Sequence, residues 1–574
     1  DIVIKYMYFT NDANAVILSI PQKGNLIRRN DMKKYLAMLL ACAMIFAFAA
    51  GCAQQNPANS DEPTATNAPT DVEATPVQNT ELVTDGNETV SDKDTINIAV
   101  DREPATLNPG GVSSNVNEII MRNVLDTLLK FDENAIPQAN LATEWEAIDD
   151  LTWQFKLRDD VNFTNGEHFT AKDVVYSINR LANTTTGASA LTYIDLSGVE
   201  AVDDYTVNIK TTKPYAFLEA QLCQAVMCIV NEKAITEMGE DAHGRAPVGT
   251  GPYMVADWTA GESITLERNE NYWGEPAKLK TVVLKIMTEG TSRTINLETG
   301  DIDLNCRLQT TDIDRVEESS DMYVLAGAQN TLRYICFNTS VEPLNNVNVR
   351  KALYHATDTE LIRETIYGVK SSEKANGPIP PSFQGKNHDL PEYEYDPAKA
   401  KEMLAAEGYE NGFEVSFIYL ANTTNNMFAE MLQSMWAEVG VTLVLQPTES
   451  GTLSTMLNAG DYEVGTAATD MKLCDAGEGL YAFFHSSSRG SSQDRTWLND
   501  ADVDAILDKI VTTLDAEERN KLVSEAEAMI HDLCPMIYIC HPWRVYGARS
   551  DVRGLKVLPY DMEYYSKLYF VNED

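Results

Sequence analysis

The chain has 574 residues, of which 44% are hydrophobic and 23% charged, ordinary values for a soluble protein long enough for two or three lobes. Its 45 Lys and Arg residues against 86 Asp and Glu residues give a formal net charge of −41. Nucleic-acid phosphates and anionic lipid headgroups repel such a chain, so we expect neither as a partner.

An apolar segment near the amino terminus has the layout of a secretory signal. Met32 is followed by two lysines, Leu36 to Ala50 form an apolar run, and small residues precede Cys52. As a helix this run would reach only ~22 Å, short of the ~30 Å hydrocarbon core of a bilayer, so we do not expect a membrane span. We predict a signal peptide over residues 32–51 and interpret residues 1–31 as an overlong translation start.

Residues 52–94 differ in composition from the rest of the chain. They are rich in Pro, Thr, Asn and acidic residues and show no apolar periodicity. A segment of this kind cannot bury enough apolar surface to fold. We therefore interpret it as a disordered, acidic tether, with the folded part beginning at Thr95.

The first half of the folded part alternates strand and helix patterns. Residues 151–158, LTWQFKLR, alternate apolar and polar side chains, which predicts a half-buried strand. Thr170 and Asp173 are spaced to form a capping box at the start of a helix. A hairpin is predicted about Asp203-Asp204.

The second half contains a parallel-sheet pattern. Asp396 is placed as a helix N-cap with Pro397 at the first helical position, and Gly408 ends that helix. A strand, a helix and another strand are then predicted at residues 413–420, 426–439 and 441–446. This order implies a parallel βαβ unit. We expect two α/β lobes, with ligand bound at the carboxyl ends of the strands or between the lobes.

Catalytic and cofactor motifs are missing from the sequence. It has no G-x-S-x-G, H-E-x-x-H or P-loop pattern, so we expect no enzymatic activity and no cofactor. The residue types of His531, Cys534, Cys540 and His541 suit zinc. However, the segment around Cys540-His541 has a strand pattern, which points neighbouring side chains to opposite faces, so we expect no metal.

Seven cysteines remain once Cys42 leaves with the signal and Cys52 is set aside. An odd number in an exported chain cannot be fully paired within it. Cys336 and Cys540 lie in apolar, strand-like runs, and we predict that both are buried thiols.

Six segments, in order, resemble the extracellular solute-binding proteins, family 5, which serve peptide and nickel ABC importers. The signature segment is ATEWEAIDDLTWQFKLRDDVNFTNGEHFTAKDVVYSINR, residues 142–180. The others are PVGTGPY (247–253), LERNENYWG (266–274), RYICFNTSVEPLNNVNVRKAL (333–353), GPIPPSF (377–383) and YDPAKAKEMLAAEGY (395–409). Together these segments span nearly all of residues 95–574.

The resemblance implies an α/β, two-lobed periplasmic-binding-protein-like fold (class II or cluster C) with an extra subdomain in the first lobe. Two crossing strands would join the lobes, and the ligand would lie between them and be buried on closure. Applied to this chain, the family's fold implies that residues 95–330 form lobe one, residues 331–539 form lobe two, and residues 540–574 return to lobe one.

The end of the signal resembles a bacterial lipobox, with Ala49 where Leu is commonest. This resemblance implies that the Cys52 sulfur receives a lipid and that cleavage makes Cys52 the first residue. The protein would then be held at the extracytoplasmic face of the cell membrane.

In peptide-binding relatives, a lobe-two Asp after a short strand holds the α-ammonium of the peptide. Asp470 is the best match in this chain, and Asp475 is a rival five residues on. The backbone at Ala468 and Thr469 could pair with an extended peptide by strand addition. A solvated pair of carboxylates without a ligand role is the remaining interpretation.

From lobe one, LNPGGVSSN, residues 107–115, resembles the loop that faces the ligand. Val112, Ser113 and Ser114 are the ligand-binding candidates there. The alternative is a Gly-rich surface turn.

The leading hypothesis is a monomeric, lipid-anchored receptor that captures short peptides and delivers them to the transmembrane subunits of an ABC permease. The same fold could instead bind a nickel chelate, haem, a sugar or a signalling peptide. A surface lipoprotein enzyme, such as a peptidase, is a more remote alternative.

Overall fold

The computed structural model describes residues 5–9, 15–19, 88–111, 114–184, 186–558 and 564–572. The chain divides into two units, Asp1–Ala74 and Thr75–Asp574. In the first, β1 (Lys5–Phe9) and β2 (Ala15–Ser19) form an antiparallel hairpin. The predicted signal peptide, Cys52 and most of the predicted tether lie outside the described residues. Within the described ranges, no helix is both long and apolar enough to cross a membrane.

The second unit contains the remaining strands of the described chain. They are β3 (Thr95–Val100), β4 (Leu129–Phe131), β5 (Pro137–Ala139), β6 (Ala142–Ala147), β7 (Thr152–Leu157), β8 (Ile194–Asp203), β9 (Thr206–Thr211), β10 (Tyr253–Thr259), β11 (Ser263–Arg268), β12 (Thr281–Ile286), β13 (Leu304–Asn305), β14 (Met322–Ala328), β15 (Thr331–Phe337), β16 (Ser372–Lys374), β17 (Phe413–Leu420), β18 (Val441–Thr448), β19 (Val464–Asp470), β20 (Met536–Arg549), β21 (Val552–Arg553) and β22 (Tyr569–Phe570).

The same unit contains the α-helices of the described residues. They are α1 (Asn115–Val124), α2 (Ala171–Leu181), α3 (Gly187–Ala190), α4 (Leu218–Leu222), α5 (Glu232–Met238), α6 (Glu240–Arg245), α7 (Gly290–Thr299), α8 (Ile313–Glu317), α9 (Val347–His355), α10 (Thr359–Ile362), α11 (Pro397–Ala406), α12 (Thr423–Glu438), α13 (Ser450–Ala459), α14 (Ala476–Phe484), α15 (Ala501–Thr512) and α16 (Ala516–Leu533).

One 12-stranded sheet links two groups of strands. Its order is β10-β11-β12-β3-β13-β20-β15-β19-β17-β18, and β14 and β16 also pair with β20. The first part of β20 pairs with β15 and its later part with β14. Because β14 leads into β15 through Gln329 and Asn330, the chain crosses between the groups at this connection and again along β20. We call residues 88–330 with 540–572 lobe one, and residues 331–539 lobe two.

The first lobe carries a second sheet, β6-β7-β9-β8, in which neighbouring strands are antiparallel. Helix α2 packs on it, and the Thr170 amide donates to Asp173 Oδ2 at 2.9 Å, which confirms the predicted capping box. The predicted strand and hairpin are also confirmed, as β7 and β8–β9. Since Asp203 pairs with Thr206, the hairpin loop lies one residue later than expected.

Lobe two contains the predicted parallel unit. Strands β17 and β18 are parallel, and α12 lies between them in the chain. This helix begins at Thr423, earlier than predicted, because the Asn422 side chain accepts from the Asn425 amide at 2.8 Å and caps it. At α11, Asp396 Oδ1 accepts from the Lys399 amide at 2.9 Å, as the sequence predicts.

Residues 88–94 contact the carboxyl-terminal segment. Val90 bridges to Val571, Glu88 is paired with Arg553, and Lys93 Nζ lies 2.7 Å from Asp303 Oδ1. Residues 88–94, at the end of the predicted tether, therefore contact lobe one.

The seven cysteines of the described residues are free thiols. Cys336 and Cys540 are fully buried, which confirms the prediction made for them. Within the described chain, no group of three or more His, Cys, Asp or Glu side chains is arranged to hold a metal ion.

Candidate ligand-binding cleft

A cavity of about 770 Å³ lies between the two lobes. Lobe one lines it from residues 108–131, 186–194 and 215–226, and lobe two lines it from residues 470–493 and Val511. Small-molecule sites in proteins typically measure about 300–1,000 Å³. The cavity therefore has the size and placement of a binding site between lobes.

The lobes touch each other beside this cavity. The Ala216 amide of lobe one donates to the Val511 carbonyl of lobe two at 2.9 Å. Lys213 Nζ lies 4.6 Å from the ring centroid of Tyr193 in lobe one and 5.6 Å from that of Tyr481 in lobe two. These contacts join the two lobes beside the cavity.

Asp470, the last residue of β19, lines the cavity from lobe two. Thr331 Oγ1 donates to its Oδ1 at 2.5 Å, and Gln493 Nε2 donates to its backbone carbonyl at 3.3 Å. The other carboxylate oxygen has no hydrogen-bond partner among the described residues. An exposed carboxylate oriented by one hydrogen bond is suited to bind a cationic group.

One edge of β19 is open beside this carboxylate. The opposite edge of β19 pairs with β15 along its whole length. On the open edge, β17 pairs only with Val464 and Gly465. Residues 466–470 therefore present an edge with no strand partner in the described part of the chain, and Ala468 is exposed on it. Such an edge can accept an extended peptide by strand addition.

Two other lobe-two candidates have structural contacts. Thr469 is buried, and its Oγ1 lies 2.6 Å from the Tyr334 hydroxyl. Asp475 caps α14, where its Oδ1 accepts from the amides of Gly477 and Glu478 at 2.8 and 3.1 Å. Asp475 is not among the described residues that line the cavity, whereas Asp470 is.

The lobe-one candidates are only partly described. Ser114 lines the cavity, and its Oγ also accepts from the Asn117 amide at 3.4 Å at the start of α1. Val112 and Ser113 lie outside the described residues, as does Cys52. Their proposed roles stay predictions.

Glu478 lines the cavity but was not expected from the sequence. It lies in the first turn of α14, and its Oε2 is buried with no hydrogen-bond partner in the described residues. Burial and then the charge of Asp475 raise the pKa of this carboxyl to about 7, against opposing effects of Lys472 and the Leu473 amide. The pattern D-A-G-E is typical of a helix start, so the sequence alone indicated only a capping role.

Arg122 is the second residue that the sequence analysis missed. It lies in the last turn of α1 and lines the cavity from lobe one. Its Nη1 donates to the Cys223 carbonyl at 2.6 Å, while its Nε is buried without a partner in the described residues. With Lys472 on the opposite wall, Arg122 gives the cleft positive as well as negative groups. In the sequence, only the amphipathic pattern of α1 indicates a polar position for Arg122. That pattern does not show whether the polar face of the helix lines a cleft or faces solvent.

Residues 137–491 match the family described as bacterial extracellular solute-binding proteins, family 5. The chain belongs to this family. This family 5 protein is 29% identical over 483 residues to Heme-binding protein A of Haemophilus influenzae, covering 79% of this chain and 87% of that protein. It is 25% identical over 479 residues to the probable D,D-dipeptide-binding periplasmic protein DdpA of Escherichia coli, covering 81% and 92%.

A solved structure shares the fold. It is the ABC transporter-associated periplasmic binding protein DppA of Helicobacter pylori in complex with the peptide STSA. The TM-score is 0.72 at 25% identity, over 84% of this chain and 99% of that one. The expected two-lobed α/β fold is thus confirmed. At the level of the family, the chain is a solute-binding protein of transport systems rather than an enzyme.

Proposed function

We propose that this family 5 protein captures short peptides between its lobes and delivers them to the transmembrane subunits of an ABC importer. One observation carries the proposal: Asp470, whose side chain lines the inter-lobe cavity, ends a strand that has an open edge at residues 466–470. A carboxylate can bind the α-ammonium of a peptide, and an open strand edge can bind its backbone. Every unmodified linear peptide has an α-ammonium group and a backbone, so recognition would not depend on side chains.

Enclosure between the lobes would strengthen this recognition. An ion pair removed from water is favourable only when its groups are also hydrogen-bonded, and Thr331 already orients Asp470. A ligand favours closure only by the extra affinity it has for the closed form. A peptide that touches β19 on one side and the lobe-one wall on the other would gain contacts only on closure.

The proposal places a monomeric protein at the extracytoplasmic face of the cell membrane, held by a lipid on Cys52. The sequence before Cys52 supports this placement, because basic residues are followed by an apolar run and then by small residues. Mass spectrometry of the amino-terminal peptide of the mature protein tests it. We expect a diacylglyceryl thioether on an amino-terminal Cys52. An unmodified Cys52 would contradict the anchor and leave peptide capture untouched.

The ligand itself is tested by native mass spectrometry of the full chain, purified in mild detergent without unfolding. We expect co-purified short peptides, which sequencing of the released material would identify. The Asp470→Asn variant, purified in parallel, is expected to be empty. Haem, a nickel chelate or a sugar released from the native protein would contradict the proposal and favour another ligand of the family.

Delivery to a permease needs a separate test. Cells that contain this chain should take up a labelled peptide faster than cells that lack it. Binding without any difference in uptake would contradict import and favour the sensing of a signalling peptide.

A further inference from the structure

We propose that Glu478 forms a second anionic subsite of the cleft, which binds a cationic side chain of the ligand, an amine or a guanidinium. This inference rests on the proposed capture of peptides in the same cleft. Glu478 would determine which peptides are preferred, whereas Asp470 would bind the amino terminus that all of them share.

The position of the carboxyl group carries the inference. Glu478 and Asp470 line the same cavity, but the immediate surroundings of the two carboxylates differ. Asp470 is oriented by Thr331, whereas Oε2 of Glu478 is buried with no partner in the described part of the chain. A buried carboxylate oxygen left without a hydrogen bond is costly. A ligand cation in the cavity would provide the missing donor.

Two tyrosines of lobe one line the same cavity as this carboxyl group. Tyr193 and Tyr215 both line the cavity, and their ring centroids are 4.6 Å apart. Glu478 lines the same cavity as both rings, and burial and then the charge of Glu478 raise the pKa of the Tyr215 phenol. An ammonium group has three N–H donors, and phenol and carboxylate oxygens are suitable acceptors for them.

The ring faces in this part of the cleft already attract a positive charge. Lys213 Nζ lies over the Tyr193 ring at 4.6 Å from its centroid, within the distance at which cations and aromatic faces interact. A ligand cation on the cavity side would meet ring faces of the same kind together with a carboxylate. This combination favours an amine or guanidinium over an apolar group of similar size.

Several charged or titratable groups face Glu478 or lie near it. Asp475 caps its own helix, Lys472 and Cys474 lie on the preceding loop, and Tyr193 and Tyr215 line the same cavity from lobe one. Beyond Tyr481, His485 lies near Asp504 and Asp508 of α15. Arg122, Lys213 and Lys472 oppose the binding of a ligand cation. The Lys472 side chain is exposed and can turn toward solvent.

Ionisation links this subsite to pH. Because burial and Asp475 raise the pKa of Glu478 to about 7, the carboxyl of the empty cleft is only partly ionised near neutral pH. A bound cation favours the carboxylate, so cation binding should release a proton below this pKa. The preference for a cationic peptide should therefore increase as the pH rises through about 7.

The test is calorimetric titration of the full chain with two tripeptides that differ only in Lys or norleucine at the central position. We expect the Lys peptide to bind roughly tenfold or more tightly than the norleucine peptide. In the Glu478→Gln variant the two peptides should bind alike, and a cooperative urea unfolding transition shows that the variant is folded. Equal affinities in the native protein, or a preference that persists in Glu478→Gln, would overturn the inference.

Repeating the titrations from about pH 5.5 to about pH 8.5 adds a second readout, because Lys stays charged there and both peptides share one amino terminus. We expect the Lys preference to rise with pH in the native protein and to be flat in Glu478→Gln. A rise of equal size in the variant would assign the effect to another group and overturn the inference. If neither tripeptide binds the native protein, the proposed function fails as well, and that outcome is distinct from equal binding of both.

Discussion

Thr331 at the start of β15 donates a hydrogen bond to Asp470 at the end of β19, with Oγ1 and Oδ1 2.5 Å apart. Thr331 is also the residue that follows the crossing from lobe one into lobe two. Its carbonyl accepts from Nδ1 of His541 at 3.1 Å, on the second crossing strand, β20. The candidate ligand carboxylate is therefore tied to both strands that join the lobes.

This relationship predicts different effects for the two rival carboxylates. Asp470→Asn keeps an acceptor for Thr331 but removes the charge, and we expect peptide affinity to fall roughly a hundredfold or more. Asp475→Asn is the matched control, because Asn caps a helix about as well as Asp. It should leave the affinity unchanged in the same titration. A larger loss in Asp475→Asn than in Asp470→Asn would assign the ammonium to the rival residue.

The open edge of β19 predicts sensitivity to the peptide backbone. N-methylation of one backbone amide that pairs with residues 466–470 removes a donor without changing a side chain. We expect roughly a fivefold loss of affinity for each pairing amide, and no loss for an amide that points away. Of the two backbone amides of a tripeptide, methylation of one should thus weaken binding and methylation of the other should not. Equal affinities of the two methylated peptides would argue against strand addition.

A buried ion pair in lobe two gives a prediction for the free energy of unfolding. Lys386 Nζ lies 2.7 Å from Glu527 Oε1, with side chains 7% and 0% exposed. Lys386→Met leaves the carboxylate unpaired, so the free energy of unfolding should fall by about 3–5 kcal/mol in urea titrations. Lys521→Met breaks the exposed pair with Glu517 and should change it by less than about 1 kcal/mol. Equal effects of the two variants would contradict this assignment.

Three buried histidines predict a loss of stability in mild acid. Burial lowers the pKa of His243, His531 and His541 from 6.5 to about 4. Between these values the unfolded chain binds more protons than the folded one, so stability is full above 6.5 and is lost as the pH falls toward 4. The loss is at most about 1.4 kcal/mol per pH unit for each histidine.

Urea titrations at several pH values measure this loss. A His541→Asn variant should show a shallower slope of unfolding free energy against pH than the native protein. His388→Gln, which changes an exposed histidine, should show the native slope. The same slope in all three proteins would contradict a role for His541.

Local structure followed from local sequence where one pattern was decisive. Strand β17 has the predicted bounds, 413–420, because it is rich in aromatic and β-branched residues and Gly412 precedes it. Helix α12 begins earlier than its apolar pattern suggests, since the side chain of Asn422 provides the cap. The course of β20 across both lobes could not be derived in this way. Its pairing depends on β14, β15 and β16, which are far away in the sequence.

The candidate site was accessible to sequence reasoning only in part. Asp470 was named from a resemblance, and the structure adds its cavity, its hydrogen bond and the open strand edge beside it. Glu478 was missed because an acid three residues after an N-cap Asp is typical of a helix start. Only the three-dimensional arrangement shows that its Oε2 is buried without a partner in the described residues and that it lines the cavity.

The central claim is that Asp470 binds the α-ammonium of a peptide held between the lobes. The most direct test compares one tripeptide with a free amino terminus and the same tripeptide acetylated there, titrated into the native protein and into Asp470→Asn. We expect acetylation to weaken binding to the native protein roughly a hundredfold or more, and to have little effect in the variant. Equal affinities of the two peptides for the native protein would contradict the claim.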